Sequence, residues 1–313
     1  MRNKFSIKAV QAFEAASRLG SFALAAEDLA VTPSAISHQI KLLEEQLGVQ
    51  LFNRAHRSVI LTDAGNYYAS EITAAFARID RATRNVATAG RNAILTVHST
   101  PSFATQWLVP RLARFKELNP DIDIRLNASV APADLMKDGV DIDIRYNPGP
   151  PKAGAVLVPF PTDIIVPMCS PALAAGLNPI RCPDDLRRHT LIHSEINIVG
   201  WRDWARRHKI QLDLERGLRF DRSFMAISAA VDGLGVCLDS ILLAERELLA
   251  GKLVIPFAAE AMTAQGHGFV TLKSAVDLPK IRIFREWLFG QIGADKTEAW
   301  IKLSGRGGGA VPL

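Results

Sequence analysis

The stretch "VTPSAISHQIKLLEEQLGVQLFNR", residues 31–54, decides how the rest of the chain is read. Ile36, Ile40, Leu43 and Leu47 recur at steps of four, three and four, the apolar stripe of a helix packed on a core. Thr32 stands where a cap belongs and Pro33 at the first helical position, while Gly48 stands where a helix ends. The opposite face shows Ser34, Ser37, His38 and Lys41, short hydrogen-bonders and cations crowded into the first two turns. Taken alone, that is an ordinary solvated face. Its neighbours give it a second meaning.

Upstream, Ile7, Val10 and Phe13 step by three along a first helix that Gly20 closes. Ser21 can cap a second, FALAAEDLA, in which Phe22, Ala26 and Leu29 face one way and the alanines permit close helix approach. A short turn at Ala30 then enters the quoted helix. Two helices joined by a short turn, the second polar at its N-terminal end, form the helix-turn-helix pattern. In that motif the second helix puts its N-terminal side chains on base edges in the major groove. Downstream, Leu51 and Phe52 open a run that ends at VILT, with Arg54, His56 and Arg57 at its tip. This reads as a two-stranded wing whose cations lie against phosphate. Residues 1–60 hold seven Lys and Arg against five Asp and Glu, so DNA affinity must come from where charge is placed rather than from bulk charge.

Thr62 caps a long helix running to about residue 88. Tyr68, Ile72, Ala75, Ile79, Ala82 and Val86 alternate steps of four and three along it, a heptad seam. The helix leaves a small module and enters the linker ATAGRN, which favours a dimerisation helix over one lying on its own domain. From Ala93 the period changes. ILTV, IDIRL, DIDIR, DIIVPM, GVCL and FVTL read as short strands between helical stretches such as TQWLVPRLARFKEL, an α/β arrangement with a mainly parallel sheet. Asp163–Met168 and Gly266–Leu272 are the expected crossings between two lobes, and a cleft between such lobes suits a small molecule.

The domain organisation expected is therefore residues 1–60 as the DNA-binding module and 61–89 as the linker helix. Residues 90–162 with 267–300 form lobe 1 and residues 163–266 lobe 2. Residues 301–313, Gly-rich from Ser304, form a disordered tail.

The whole-chain properties narrow the function classes. A chain of 313 residues with 48% hydrophobic and 22% charged residues is an ordinary globular protein, and its net charge of +5 only mildly favours a polyanionic partner. Cys169, Cys182 and Cys237 are far apart and form no CxxC pair, which argues against a disulfide framework or zinc site and suits a reducing cytoplasm. No apolar run approaches the roughly 20 residues of a membrane helix, and Glu14 and Arg18 interrupt any signal-peptide pattern. For an enzyme, a catalytic constellation is wanting: His193, Ser194 and Glu195 are adjacent, and Gly233-Leu234-Gly235 lacks the third glycine of a dinucleotide loop. No metal spacing is present and no cofactor is expected. A pure solute-binding protein would be secreted and would have no DNA-reading helix.

The run AVQAFEAASRLGSFALAAEDLAVTPSAISHQIKLLEEQLGVQLFNRAHRSVILTDAG resembles the N-terminal signature of LysR-type transcriptional regulators. STPSFATQWLVPRLARF, NPDIDIRL and DGVDIDIRY resemble the effector domain of the same family, in the branch of the glycine-cleavage activator and the β-lactamase regulator. The resemblance covers the chain to about residue 292. It implies an all-α winged helix-turn-helix domain, a linker helix and an α/β, periplasmic-binding-protein-like effector domain of two lobes. It also implies a homodimer or homotetramer, operator DNA, a small-molecule effector and RNA polymerase as partners. Carried over residue by residue, Ser34, Ser37, His38 and Lys41 fall on the DNA-reading helix and Arg54 and Arg57 on the wing. Many members have Arg where this chain has His38, and a neutral His loses bidentate guanine readout.

For the effector, Ser99, Thr100 and Ser102 follow a strand and precede a helix, a place for a carboxylate; plain helix capping accounts for one hydroxyl but less readily for three. Phe103 and Phe224 are candidate apolar walls, and each is equally a core residue. Ser129 ends the second strand at the same edge. Arg145 can pair an acidic effector or an internal partner such as Asp143, the latter being the favoured reading. Asn197 falls on the segment that the family places on the opposite lobe.

Overall fold

The computed structural model describes residues 6–55, 58–87, 93–256 and 261–304. The chain divides into two compact units, Met1–Ala89 with Met136–Gly139, and Gly90–Leu135 with Val140–Leu313.

The first unit opens with α1 (Ile7–Leu19), α2 (Phe22–Asp28) and α3 (Pro33–Leu47). The face that α1 buries is Ala9, Ala12, Phe13 and Ala16; Ile7 is 71% exposed, contrary to the stripe read from its spacing with Val10 and Phe13. Repeated steps of three fall short of a full turn of about 3.6 residues and so drift around the helix. The small alanines let α1, α2 and α3 pack closely around Phe13, Ile36, Ile40 and Leu43. Gly20 and Gly48 end α1 and α3 in the left-handed conformation, at φ 63° and 69°. Between α2 and α3, Ala30 also takes a positive φ of 53°, which makes the turn sharp.

Strands β1 (Phe52–Ala55) and β2 (Ser58–Leu61) pair antiparallel, Phe52 opposite Leu61, as a two-stranded wing. Glu44 anchors it to α3 by accepting the N–H groups of Leu51 and Phe52 at 2.8 and 3.2 Å. Thr62 Oγ1 accepts from Gly65 N–H at 3.0 Å and starts α4 (Asp63–Ala87). A Cβ on Gly65 would lie 2.0 Å from the Leu51 carbonyl oxygen, so only glycine lets α4 start this close to the wing.

The second unit contains two five-stranded sheets. In the first, β3 (Ala93–Ser99), β4 (Ile122–Ala128), β5 (Ile142–Tyr146), β6 (Ala155–Pro159) and β12 (His267–Leu272) lie in the order β4-β3-β5-β12-β6. In the second, β7 (Asp163–Met168), β8 (Leu191–Ser194), β9 (Leu218–Phe220), β10 (Val236–Ser240) and β11 (Met262–Ala264) lie in the order β11-β7-β10-β8-β9. The helices in chain order are α5 (Pro101–Phe103), α6 (Val109–Leu118), α7 (Pro171–Ala174), α8 (Trp201–His208), α9 (Ser223–Val231), α10 (Ile241–Leu249) and α11 (Pro279–Ser304). A π-helical turn, Ala104–Leu108, joins α5 to α6 just before Pro110, whose missing N–H already breaks the regular ladder.

The sheets are mixed rather than mainly parallel. β3 pairs parallel with β4 and β5, and β8 with β9 and β10. β12 runs against β5 and β6, and β7 against β10 and β11. β7 and β12 enter their sheets from the other lobe with no helical crossover to turn the chain round, so they run opposite to their neighbours. At the C-terminus, residues 301–304 belong to α11 rather than to a tail, and residues 305–313 lie outside the described residues.

Candidate functional site

Two surfaces gather the polar residues singled out by sequence. The first is on α3. Thr32 Oγ1 accepts from Ala35 N–H at 3.2 Å and lies 3.0 Å from Ser34 Oγ. Ile36, Ile40 and Leu43 are buried; Ser34, His38 and Lys41 are exposed, with Ser37 half-buried. Among the described residues the side chains of Ser37 and His38 make no hydrogen bond, and Lys41 meets only Glu45 at 3.7 Å. With no side-chain partner among the described residues, Ser37 and His38 are free for an external one. Arg54 lies on β1 with its side chain outside the described residues, as is all of Arg57.

The seam of α4 is divided. The Tyr68 ring packs 5.2 Å from Phe13, against the core of its own unit. Ile72 is half-buried, Ala75 is exposed, and Ile79 is 57% exposed. The side chains of Ala82 and Val86, and the linker at residues 88–92, lie outside the described residues. Tyr68 is therefore half-buried against its own unit, and the open part of the seam begins beyond it.

The second surface is a cleft between the lobes of the second unit. Thr100, Pro101, Ser102, Val130, Tyr146 and His267 line one side, and Ile196, Asn197, Arg222, Ser223 and Leu243 the other. Nearly all follow the C-terminal ends of parallel strands, since β3 ends at Ser99, β5 at Tyr146, β8 at Ser194 and β9 at Phe220. That is where open α/β sheets leave a crevice. Two hydrogen bonds tie its walls together and a third lies within one wall. Phe224 N–H donates to Ser102 Oγ at 3.4 Å, Ile198 N–H to Tyr146 Oη at 3.0 Å, and Ser223 Oγ to Asn197 Oδ1 at 3.0 Å. Thr100 Oγ1 makes no cap on α5; it is buried and without a partner among the described residues, and so is His267 Nδ1. Burial pushes the His267 imidazole down to about 3 and the Tyr146 phenol up to about 12, so both are neutral near pH 7. Arg222 is the one cation among the lining residues and pairs with Asp221 at 2.8 Å; the lining itself includes no carboxylate, although the buried Asp239 lies behind Asn197 and Ser223 and bonds to both.

Several expected ligands have other duties. Ser99 is fully buried, and its hydroxyl donates to the Thr100 carbonyl at 3.2 Å. Phe103 is core, with its ring 5.0 Å from Trp107 and 5.5 Å from Phe160. Phe224 offers the cleft its backbone N–H, and its half-buried ring is not among the lining residues. Arg145 pairs with Asp143 and donates to the Ala133 carbonyl at 2.9 Å. His98 lies between Asp143 Oδ1 at 2.8 Å and Ser129 Oγ at 2.9 Å. Ala133 N–H reaches Asp143 Oδ2 at 3.1 Å, so this chain of bonds holds the loop of residues 129–133. Ser129 and Arg145 are thus tied into the bonds that hold this loop, and neither is among the lining residues of the cleft.

Sequence reasoning missed Tyr146, His267, Arg222 and Ser223. Tyr146 and His267 are register partners on β5 and β12, a pairing made only when the chain returns from the other lobe. The glycines flanking His267 were the available signal. A Cβ on Gly268 would lie 2.6 Å from the Leu157 side chain and one on Gly266 3.1 Å from Tyr146, marking close approach on both sides.

A larger, open depression of about 550 Å³ lies wholly in the second lobe, with Glu195, Asp203 and Glu215 opposed by Arg202 and Arg219. Its groups are of mixed sign, and it lacks the buried, unpartnered atoms of the cleft.

Residues 7–66 match the family "Bacterial regulatory helix-turn-helix protein, lysR family", and residues 88–292 match "LysR substrate binding domain". The HTH-type transcriptional regulator PerR of Escherichia coli (strain K12) is 41% identical over 296 residues, covering 94% of this chain and 98% of that protein. The glycine cleavage system transcriptional activator of the same organism is 37% identical over 293 residues, covering 93% and 95%. Among solved structures, the effector domain of the transcriptional regulator AmpR of Pseudomonas aeruginosa aligns with a TM-score of 0.55 at 28% identity, covering 66% of this chain and 98% of that one.

Proposed function

This chain belongs to the LysR family of transcriptional regulators, and from that premise we propose that a small anionic molecule, a carboxylate, bound in the cleft of its second unit tunes how it holds DNA. The DNA-binding regulator with an effector-binding domain is the family's common plan. The nature of the effector is this chain's own. A lining with no carboxylate of its own, a buried Thr100 hydroxyl that caps nothing, and one cation, Arg222, whose pair with the exposed Asp221 leaves other guanidinium N–H groups to donate, carries the reading. Ser102 and Tyr146 each accept a backbone N–H and keep their own proton to donate. Donors thus outnumber acceptors on the wall, which suits an anion.

Binding that favours one arrangement of the lobes shifts a pre-existing equilibrium only through a difference in affinity between the two states. The regulator acts in the cytoplasm as a homotetramer, or a homodimer, on an operator with two or more half-sites, and RNA polymerase is its partner at the promoter. The open part of α4 beyond Tyr68 supplies the dimer contact. Calorimetry or thermal shift with a panel of small carboxylates, on the wild type and on Thr100→Val with Ser102→Ala, tests the effector reading. A carboxylate that stabilises the wild type and not the double variant is the expected result; equal stabilisation of both would refute the site.

A further inference from the structure

Thr100 Oγ1 and His267 Nδ1 are buried polar atoms without partners among the described residues, and they line the same cleft. Such groups are costly to leave unsatisfied and point to a missing partner. The indole Nε1 atoms of Trp107 and Trp287 also have no partner among the described residues, but neither lines the cleft. The His267 ring sits in an aromatic box, 5.0 Å from Tyr146, 5.1 Å from Phe103 and 5.9 Å from Phe160. Such a box desolvates whatever touches the imidazole and disfavours a full charge there. A neutral imidazole offers one donor and one acceptor. The guanidinium N–H groups that Arg222 keeps beyond its pair with Asp221, and the free protons of Ser102 and Tyr146, by contrast, suit a charge.

We infer that the effector is bifunctional: its anionic end is held by Arg222, Ser102 and Tyr146, while a neutral amide- or hydroxyl-type group satisfies Thr100 and His267, with His267 as the residue that selects that group. This rests on the effector reading proposed above and narrows the chemical class to acids carrying a neutral hydrogen-bonding function. Asn197 and Ser223 close the wall by bonding to each other and to the buried Asp239, so they are not offered to the anionic end.

The test uses acids of one skeleton that differ only at the far end: butyrate with a methyl group, succinamate with a primary amide, and succinate with a second carboxylate. Their affinities are measured by calorimetry on the full-length wild type, His267→Phe, His267→Gln and Thr100→Val. The wild type is expected to prefer succinamate over butyrate and succinate by roughly tenfold, the size of one good hydrogen bond. His267→Phe, which fills the aromatic box, should abolish the preference while still binding all three acids. His267→Gln, which keeps a donor and an acceptor, should retain part of it. Melting curves without ligand show whether each variant is folded. If the three acids bind the wild type equally, or His267→Phe keeps the preference, the assignment of His267 is overturned while the anion site stands. If none of the acids binds the wild type, the anion site falls as well.

Discussion

The solvent face of α3 and the cleft of the second unit use similar chemistry, hydroxyls and a histidine, in opposite environments. Ser34 and His38 are exposed, so water satisfies them when DNA is absent and they cost the fold nothing. Thr100 Oγ1 and His267 Nδ1 are buried and have no partner among the described residues, so the fold gives up stability to hold them. An amphipathic stripe announces the first kind of site in the sequence. The second exists only once strands from two lobes have converged, and it shows as polar atoms that the protein itself does not use.

Stability separates the two kinds of buried residue at the cleft most sharply. Phe103→Ala removes a fully buried ring packed on Trp107 and Phe160 and should cost about 3–5 kcal/mol in chemical denaturation of the second unit. Thr100→Val, of the same shape, removes an unsatisfied hydroxyl and should be neutral or stabilising by up to about 1 kcal/mol. A large loss for Thr100→Val would mean that the hydroxyl serves the fold and would erase the contrast.

The next effect is a pH dependence. The folded pKa of His267 lies near 3, below its ordinary value of 6.5. The unfolded chain therefore binds the extra proton first, and stability falls as pH drops from 6.5 towards 3. At pH 5 that loss is roughly 2 kcal/mol for this one group. Melting curves between pH 7 and 5 should flatten by about this amount in His267→Phe; an unchanged slope would show that the ring is solvated. Asp239 opposes the trend, because burial raises its carboxyl and its protonation favours the fold on the acid side. The smallest effect belongs to α3: Lys41→Ala breaks only an exposed pair with Glu45 and should change stability by less than about 0.5 kcal/mol. A cost above 1 kcal/mol would mean that the face is built into the fold.

The same contrast explains what the sequence made legible. The caps Thr32 and Gly48 and the stripe Ile36, Ile40 and Leu43 are local patterns, and the structure places them as read. Local reading failed where burial depends on distant partners. Steps of three carry Ile7 off the face that Phe13 buries, and Tyr68 turns inward because Phe13 is there to meet it. Ser99 and Phe103 sit beside Thr100 and Ser102 in sequence, yet strand and helix direction turn them into the core. His267 is a lone histidine between glycines, with no pattern to mark it until β12 lies against β5.

The most direct test of the exposed half of the comparison is the ratio of specific to nonspecific DNA affinity for the wild type and His38→Ala. Sites selected from random duplexes by the wild type supply the specific target, and binding is measured by fluorescence anisotropy at one fixed salt concentration. If the α3 face reads bases, His38→Ala lowers the ratio by about 1–3 kcal/mol while nonspecific binding and folding stay the same. An unchanged ratio for His38→Ala, and again for Ser37→Ala, would contradict the account, leaving that face as solvated surface.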